Sequence, residues 1–146
     1  MQEINDGVNM KLTYFKAYAG ALFAFCLMDG LWLGVFATEF YFDALGDLLR
    51  KEPNWSAAVV FYLGYIGGIV YFVIRPALST GSFWIVLRDG ALFGLIAYAT
   101  YDMTNMATLT GWSITVSIVD MIWGMVITGA SSLAGYWIAA KNILRD

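Results

Sequence analysis

The chain has 146 residues, 60% of them hydrophobic and 17% aromatic but only 13% charged, with a net charge of −3 and a mean hydropathy of +0.68. A soluble domain carries about 45–50% apolar and about 25% charged residues, and a small one hides only about two-thirds of its chain's surface, so an ordinary soluble enzyme is excluded. The lack of histidine and the single Cys26 exclude imidazole and thiolate-cluster metal sites and an intrachain disulfide, and the acidic balance argues against a nucleic-acid partner; no cofactor is expected.

Four stretches meet the requirement of about 20 mostly apolar residues for a membrane span, at about 12–36, 55–74, 83–105 and 114–140. Residues 1–9 are polar and unpatterned, and Met10-Lys11 is an expected natural start. Lys11 and Lys16 resemble the basic start of a cleaved leader, but the apolar run is too long and has no small-x-small cleavage site. Between the first two spans, Phe40, Tyr41, Ala44, Leu45, Leu48 and Leu49 share one helical face, with Asp43, Asp47 and Arg50 on the other. That pattern predicts a short amphipathic helix on the membrane surface, either a spacer or a lid over the bundle.

The second span carries no charge, and Pro76 is expected to stop it just after Arg75. Ser79-Thr80-Gly81-Ser82 then predicts a tight turn capping the third span. Arg88 and Asp89, near the start of that span, are expected to pair locally or snorkel. Gly30 with Gly34, Gly64 with Gly68, Gly90 with Gly94, and Ala130 with Ala134 form small-xxx-small faces, the signal for close helix approach in lipid and a route to a homo-oligomer. The expected fold is all-α: an integral membrane four-helix bundle, a single domain over residues 1–146, with the amphipathic interfacial helix between its first and second spans.

Basic residues set the orientation. Lys11, Lys16, Arg75, Arg88, Lys141 and Arg145 fall on the side of the termini, against Arg50 and Lys51 on the other, which predicts both termini in the cytoplasm. Trp55, Trp84, Trp112 and Trp137 stand near span ends, where an aromatic belt belongs.

Three spans carry an aspartate. Each would cost about 2.5–3.5 kcal/mol near the bilayer centre if it faced lipid, so Asp29, Asp102 and Asp120 should point into the bundle. At about 1.5 Å rise per residue they lie about 7, 12 and 9 Å into the outer half, so three helices deliver one acid each to one layer. Asp29 with Trp32 and Asp120 with Trp123 repeat the same Asp-x-x-Trp spacing on antiparallel helices, each pair sharing a face. Asp102 has Asn105 at that spacing and Tyr98 one turn earlier, while Tyr62 and Tyr65 on the second span offer hydroxyl donors at similar depth. No basic residue is expected there, so a shared proton or a bound cation would relieve the repulsion between the acids. The acids equally fit a structural role, fixing helix register through bonds to indole, phenol or backbone groups.

The segments Asp29-Gly30-Leu31-Trp32-Leu33-Gly34, Phe61-Tyr62, Arg75-Pro76-Ala77-Leu78, Gly90-Ala91-Leu92-Phe93-Gly94, Thr100-Tyr101-Asp102-Met103-Thr104-Asn105 and Val119-Asp120-Met121-Ile122-Trp123-Gly124 resemble a family of small bacterial inner-membrane proteins, domain of unknown function 2177. The resemblance runs from the first span to the fourth. It implies four transmembrane helices in a bacterial inner membrane.

Two kinds of activity fit the acid layer. In the first, a lipid-accessible pocket binds, with or without transforming it, a lipid or other apolar small molecule. Asp102 would then be the acid, Asp29 and Asp120 would tune it, and Trp32, Trp123, Asn105, Tyr62, Tyr65 and Tyr98 would line the pocket. In the second, the carboxylates carry protons or cations across the membrane. A scaffold or accessory subunit of a membrane complex is a third reading. Retinal attachment is set aside, since no lysine lies in a span interior for a Schiff base.

Overall fold

The computed structural model describes residues 2–143, with side chains from Asn9 to Lys141; Arg145, one of the basic residues that set the expected orientation, lies outside the described residues. Among the described residues the structure is helical and holds no strand. Helix α1 (Gln2–Leu31) runs into a wide turn at Trp32–Phe36, followed by the short α2 (Thr38–Leu45) and a tighter turn at Gly46–Leu48. Helix α3 (Trp55–Ile69) passes through a second wide turn, Val70–Ile74, into α4 (Arg75–Thr80). The long α5 (Phe83–Thr108) and α6 (Ile114–Ile143) complete the chain. Four helical segments are long and apolar enough to cross a membrane: Asn9–Phe36, Trp55–Thr80, Phe83–Thr108 and Ile114–Lys141. The all-α four-span fold expected from the sequence is the fold observed.

Helix α6 is the hub, packing along α5 and along α1 far more extensively than any other pair of elements. Small residues make this possible. A Cβ added at Gly94 on α5 would stand 2.0 Å from the Gly124 carbonyl oxygen on α6, and one at Gly90 would meet Ser132 and the Gly129 backbone within 3.1 Å. On the other side of α6, a Cβ at Gly135 would stand 2.6 Å from the Ala17 carbonyl of α1. Lipid offers no hydrophobic drive for helix association, so such backbone approach and the dispersion contacts it allows hold the bundle. The buried core beside these seams is built from Ala17, Ala21, Phe25, Ile66, Ile69, Ile74, Val86 and Ile127.

Several local expectations are corrected. Gly30, Gly34 and Gly64 have open space where a Cβ would go, and Gly68 meets only the Phe93 ring, so the first two glycine pairs do not bring backbones together within this chain. Pro76 does not stop the second span; the helix continues to Thr80. Proline lacks an N–H and its ring crowds the carbonyl four residues back. The wide turn over Val70–Ile74 loosens the register just upstream, and Pro76 enters at the start of a fresh α-helical turn. The stop comes at Gly81, whose φ of 67° is the left-handed conformation glycine tolerates and whose N–H donates to the Ala77 carbonyl at 3.1 Å. Ser82 stands at the cap position of α5 but its side chain makes no cap bond.

The amphipathic helix is shorter than the pattern over 39–51 implies, ending at Leu45 because Gly46 turns the chain at φ 48°. Its Phe42 and the following Leu48 are exposed. Arg88 and Asp89 form the expected local pair at 2.7 Å. Trp55, Trp84 and Trp137 face outward near span ends as a belt requires, whereas Trp112 turns inward.

Overpacking at the α5–α6 seam costs about 1–3 kcal/mol. Gly94→Ala should therefore lower the thermal unfolding midpoint in detergent clearly, and Gly64→Ala, into open space, should leave it near wild type.

Candidate functional site: a carboxylate-floored cavity

The cavity lies at the end of the bundle away from the two termini. It measures about 820 Å³ and is enclosed by the ends of α1 and α5, the starts of α3 and α6, α2, and the loop over residues 49–53. Its walls are mostly apolar and aromatic: Leu33, Phe42, Leu45, Leu49, Phe61, Ala97, Tyr101 and Trp112. Phe42, Phe61 and Tyr101 remain more than half exposed, so the cavity opens outward between its walls.

The wide turn at Trp32–Phe36 shapes one side. There the Ala37 N–H reaches back five residues to the Trp32 carbonyl at 2.8 Å, which ends α1 and swings the chain into α2. The Thr38 hydroxyl ties the same corner by donating to the Leu33 carbonyl at 2.5 Å.

Two of the three aspartates form the floor. Asp29 is 6% exposed, and both its oxygens accept hydrogen bonds: Oδ2 from the Tyr62 hydroxyl of α3, Oδ1 from the Trp123 indole of α6 at 3.2 Å. Asp120 is 9% exposed, and its Oδ1 accepts from the Tyr41 hydroxyl of α2. Tyr41 in turn accepts from the Trp32 indole at 3.2 Å. The two Asp-x-x-Trp motifs therefore cross. The indole of the α6 motif serves the α1 acid directly, and the indole of the α1 motif reaches the α6 acid through Tyr41. The two indoles stack on each other, centroids 4.5 Å apart and planes 14° from parallel.

Of the remaining residues expected at the site, Tyr62 and Tyr98 line the cavity with Trp32 and Trp123. Gly124 makes room for the Tyr98 ring, since a Cβ there would meet ring carbons at 2.4 Å. Asp102, Asn105 and Tyr65 do not line it. Asp102, the residue expected to supply the acid, is fully buried on α5 behind the cavity wall, and neither of its oxygens finds hydrogen-bond geometry with a described residue. It faces Ser117 of α6, which accepts from the inward-turned Trp112 at 2.9 Å. Tyr65 bonds Thr128 at 2.8 Å in the core. The physical reason is rotation about the helix axis. Tyr98 and Tyr101 face the cavity, and Asp102, about 100° further round than Tyr101, faces α6.

Sequence reasoning missed Tyr41 as a carboxylate partner and missed Arg50 and Lys51, exposed side chains that contribute to the cavity's rim. Tyr41 was visible only as an apolar-face residue of the amphipathic helix. No cluster of three or more acid, histidine or cysteine ligands able to hold a metal occurs among the described residues.

The sequence profile of a family described as "Predicted membrane protein (DUF2177)" matches residues 14–137. No curated protein and no solved structure matches the chain.

Among the described residues, Tyr41 makes the hydrogen bond that ties α2 to the floor. Burial first, and then the bond to Asp120, push its phenol above the usual phenol range. A raised folded value means the contribution is complete below the unfolded phenol's value of about 10 and is lost as pH rises beyond it. Removing a hydrogen bond to a carboxylate costs about 1.5–3 kcal/mol. Wild type should show an alkaline loosening of α2, and Tyr41→Phe should abolish it while speeding amide hydrogen exchange across α2 at neutral pH.

Proposed function

The chain belongs to the DUF2177 family of membrane proteins, and we propose that it binds an apolar or amphipathic small molecule of lipid size in the cavity at the end of its bundle. The observation that carries this reading is the combination of size and lining. About 820 Å³ lies within the range of small-molecule sites, roughly 300–1,000 Å³, and apolar walls with a few convergent polar groups are the usual composition of such sites. The opening past Phe42, Phe61 and Tyr101 favours a ligand that enters from the membrane or its surface.

A helical bundle whose loops carry most cations on the side of the termini fits a bacterial inner membrane with both termini cytoplasmic. The cavity would then face the outer leaflet. A reporter fused after residue 146 should read cytoplasmic, and one inserted at Gly46 should read external; the reverse pattern would overturn this orientation.

Native mass spectrometry from a mild detergent, followed by organic extraction, tests the binding reading. A discrete apolar molecule should accompany wild type. Its occupancy should fall at least fivefold when Leu45→Trp and Phe61→Ala reshape the walls, with thermal midpoints checked to confirm folding. Wild type stripped of every bound molecule, and unable to take up added extract, would sink the idea.

A further inference from the structure

We propose that the molecule this cavity takes is a hydrophobic organic cation, an amine or quaternary ammonium on an apolar body, with its charge lodged over Asp29 and Asp120. This rests on the cavity reading above and adds the sign of the ligand's charge.

Three observations converge. First, the floor is acidic and, among the described residues, Asp29 and Asp120 are held by phenol and indole donors, which are neutral. Asp29 is contacted at both oxygens, by the Tyr62 hydroxyl and the Trp123 indole, and neither partner carries a positive charge. Second, Asp120 is more than nine-tenths buried and lines the cavity, yet its one described hydrogen bond is to Oδ1. Oδ2 is left without a described partner and is available to a donor or a positive charge in the cavity. Third, the groups around the two carboxylates are aromatic: the indoles of Trp32 and Trp123 and the rings of Tyr62 and Tyr98. Ring faces attract cations through their quadrupole, most strongly for indole, and the attraction grows when the site is dry.

The rim sets the competing reading. Arg50 and Lys51 would attract an anionic head group. Both are exposed, however, so water and salt act on them. A charge pair at a given distance is roughly fourfold weaker at the dielectric of water than at the effective value of about 20 suited to partly buried sites. The buried carboxylates therefore dominate selection, and the rim orients any acidic or polar tail outward.

The test uses tetraphenylphosphonium and tetraphenylborate, a hydrophobic cation and anion of nearly the same shape, titrated into the full chain in detergent and read by tryptophan fluorescence and calorimetry. The expected result is saturable binding of the cation at least tenfold tighter than of the anion. Asp120→Asn should weaken the cation tenfold or more, while Asp43→Asn, on the exposed surface of α2, should change it less than twofold. Arg50→Gln should weaken only the anion. Should Asp120→Asn fail to fold, the wild-type cation-to-anion ratio and Arg50→Gln decide alone. Equal or tighter binding of the anion overturns the inference while leaving the cavity reading in place. No saturable binding of either probe also overturns it, and the extraction experiment above then judges the cavity reading separately.

Discussion

A carboxylate buried at membrane depth must be answered by donors from the protein, and the bundle is organised around how Asp29 is answered. Its two oxygens draw Tyr62 from α3 and Trp123 from α6, so one side chain of α1 ties three of the four spans together. Hydrogen bonds to ionised groups are roughly twice as strong as neutral ones. Their value in lipid comes chiefly from the alternative, since no water is at hand to replace a missing donor. A second Asp-x-x-Trp motif on α6 repeats the arrangement in the opposite direction. There the indole stops short of the acid, and Tyr41 spans the gap.

This polar layer occupies one end of the molecule, and the other end is sealed. Towards the termini, glycine and alanine seams bring α1, α5 and α6 into backbone contact, and Ile69, Ile74, Val86 and Ile127 fill the remaining space. Helix α3 packs lightly, mostly against α1, with an accessory bond from the Tyr18 hydroxyl to the Leu63 carbonyl at 2.9 Å. Where the small-residue seams give way to Trp and Tyr, the cavity opens. Side-chain size along three helices thus sets where the bundle is solid and where it is hollow.

The four spans, the inward acids and the two Asp-x-x-Trp motifs were legible because each leaves a one-dimensional mark: run length, an unaffordable charge, a three-residue spacing. What escaped depended on rotation and on the path of a short linker. Asp102 faces Ser117 and α6 rather than the hollow, a difference of one residue's turn from Tyr101. Gly30, Gly34 and Gly64 carry the spacing of packing glycines and yet face open space, because the same spacing marks a face without saying what covers it. Pro76 reads as a stop in any local rule; only the wide turn at Val70–Ile74, a feature without a sequence signature, lets the helix pass through it. Tyr41 could not be assigned to Asp120 from spacing at all, being 79 residues away.

Asp102 on the third span and Asp120 on the fourth differ in what surrounds them, and the difference separates structure from access. Asp102 is sealed between α5 and α6 beside a serine whose oxygen already accepts from Trp112, which leaves that hydroxyl's proton free to turn toward the carboxyl. Ser117 belongs to α6, a long helix packed along its length against α5. Asp120, by contrast, is covered through Tyr41 on α2, an eight-residue helix that buries none of its own residues and is anchored to the rest of the chain by few contacts. Elements with little burial open locally at low free energy while the body stays folded. Asp120 is therefore covered by a lightly packed helix, whereas Asp102 lies between the two most extensively packed helices described. Tyr41's hydroxyl is the group through which opening of α2 would change the hydrogen bonding of Asp120, so cover and floor are coupled by a single side chain.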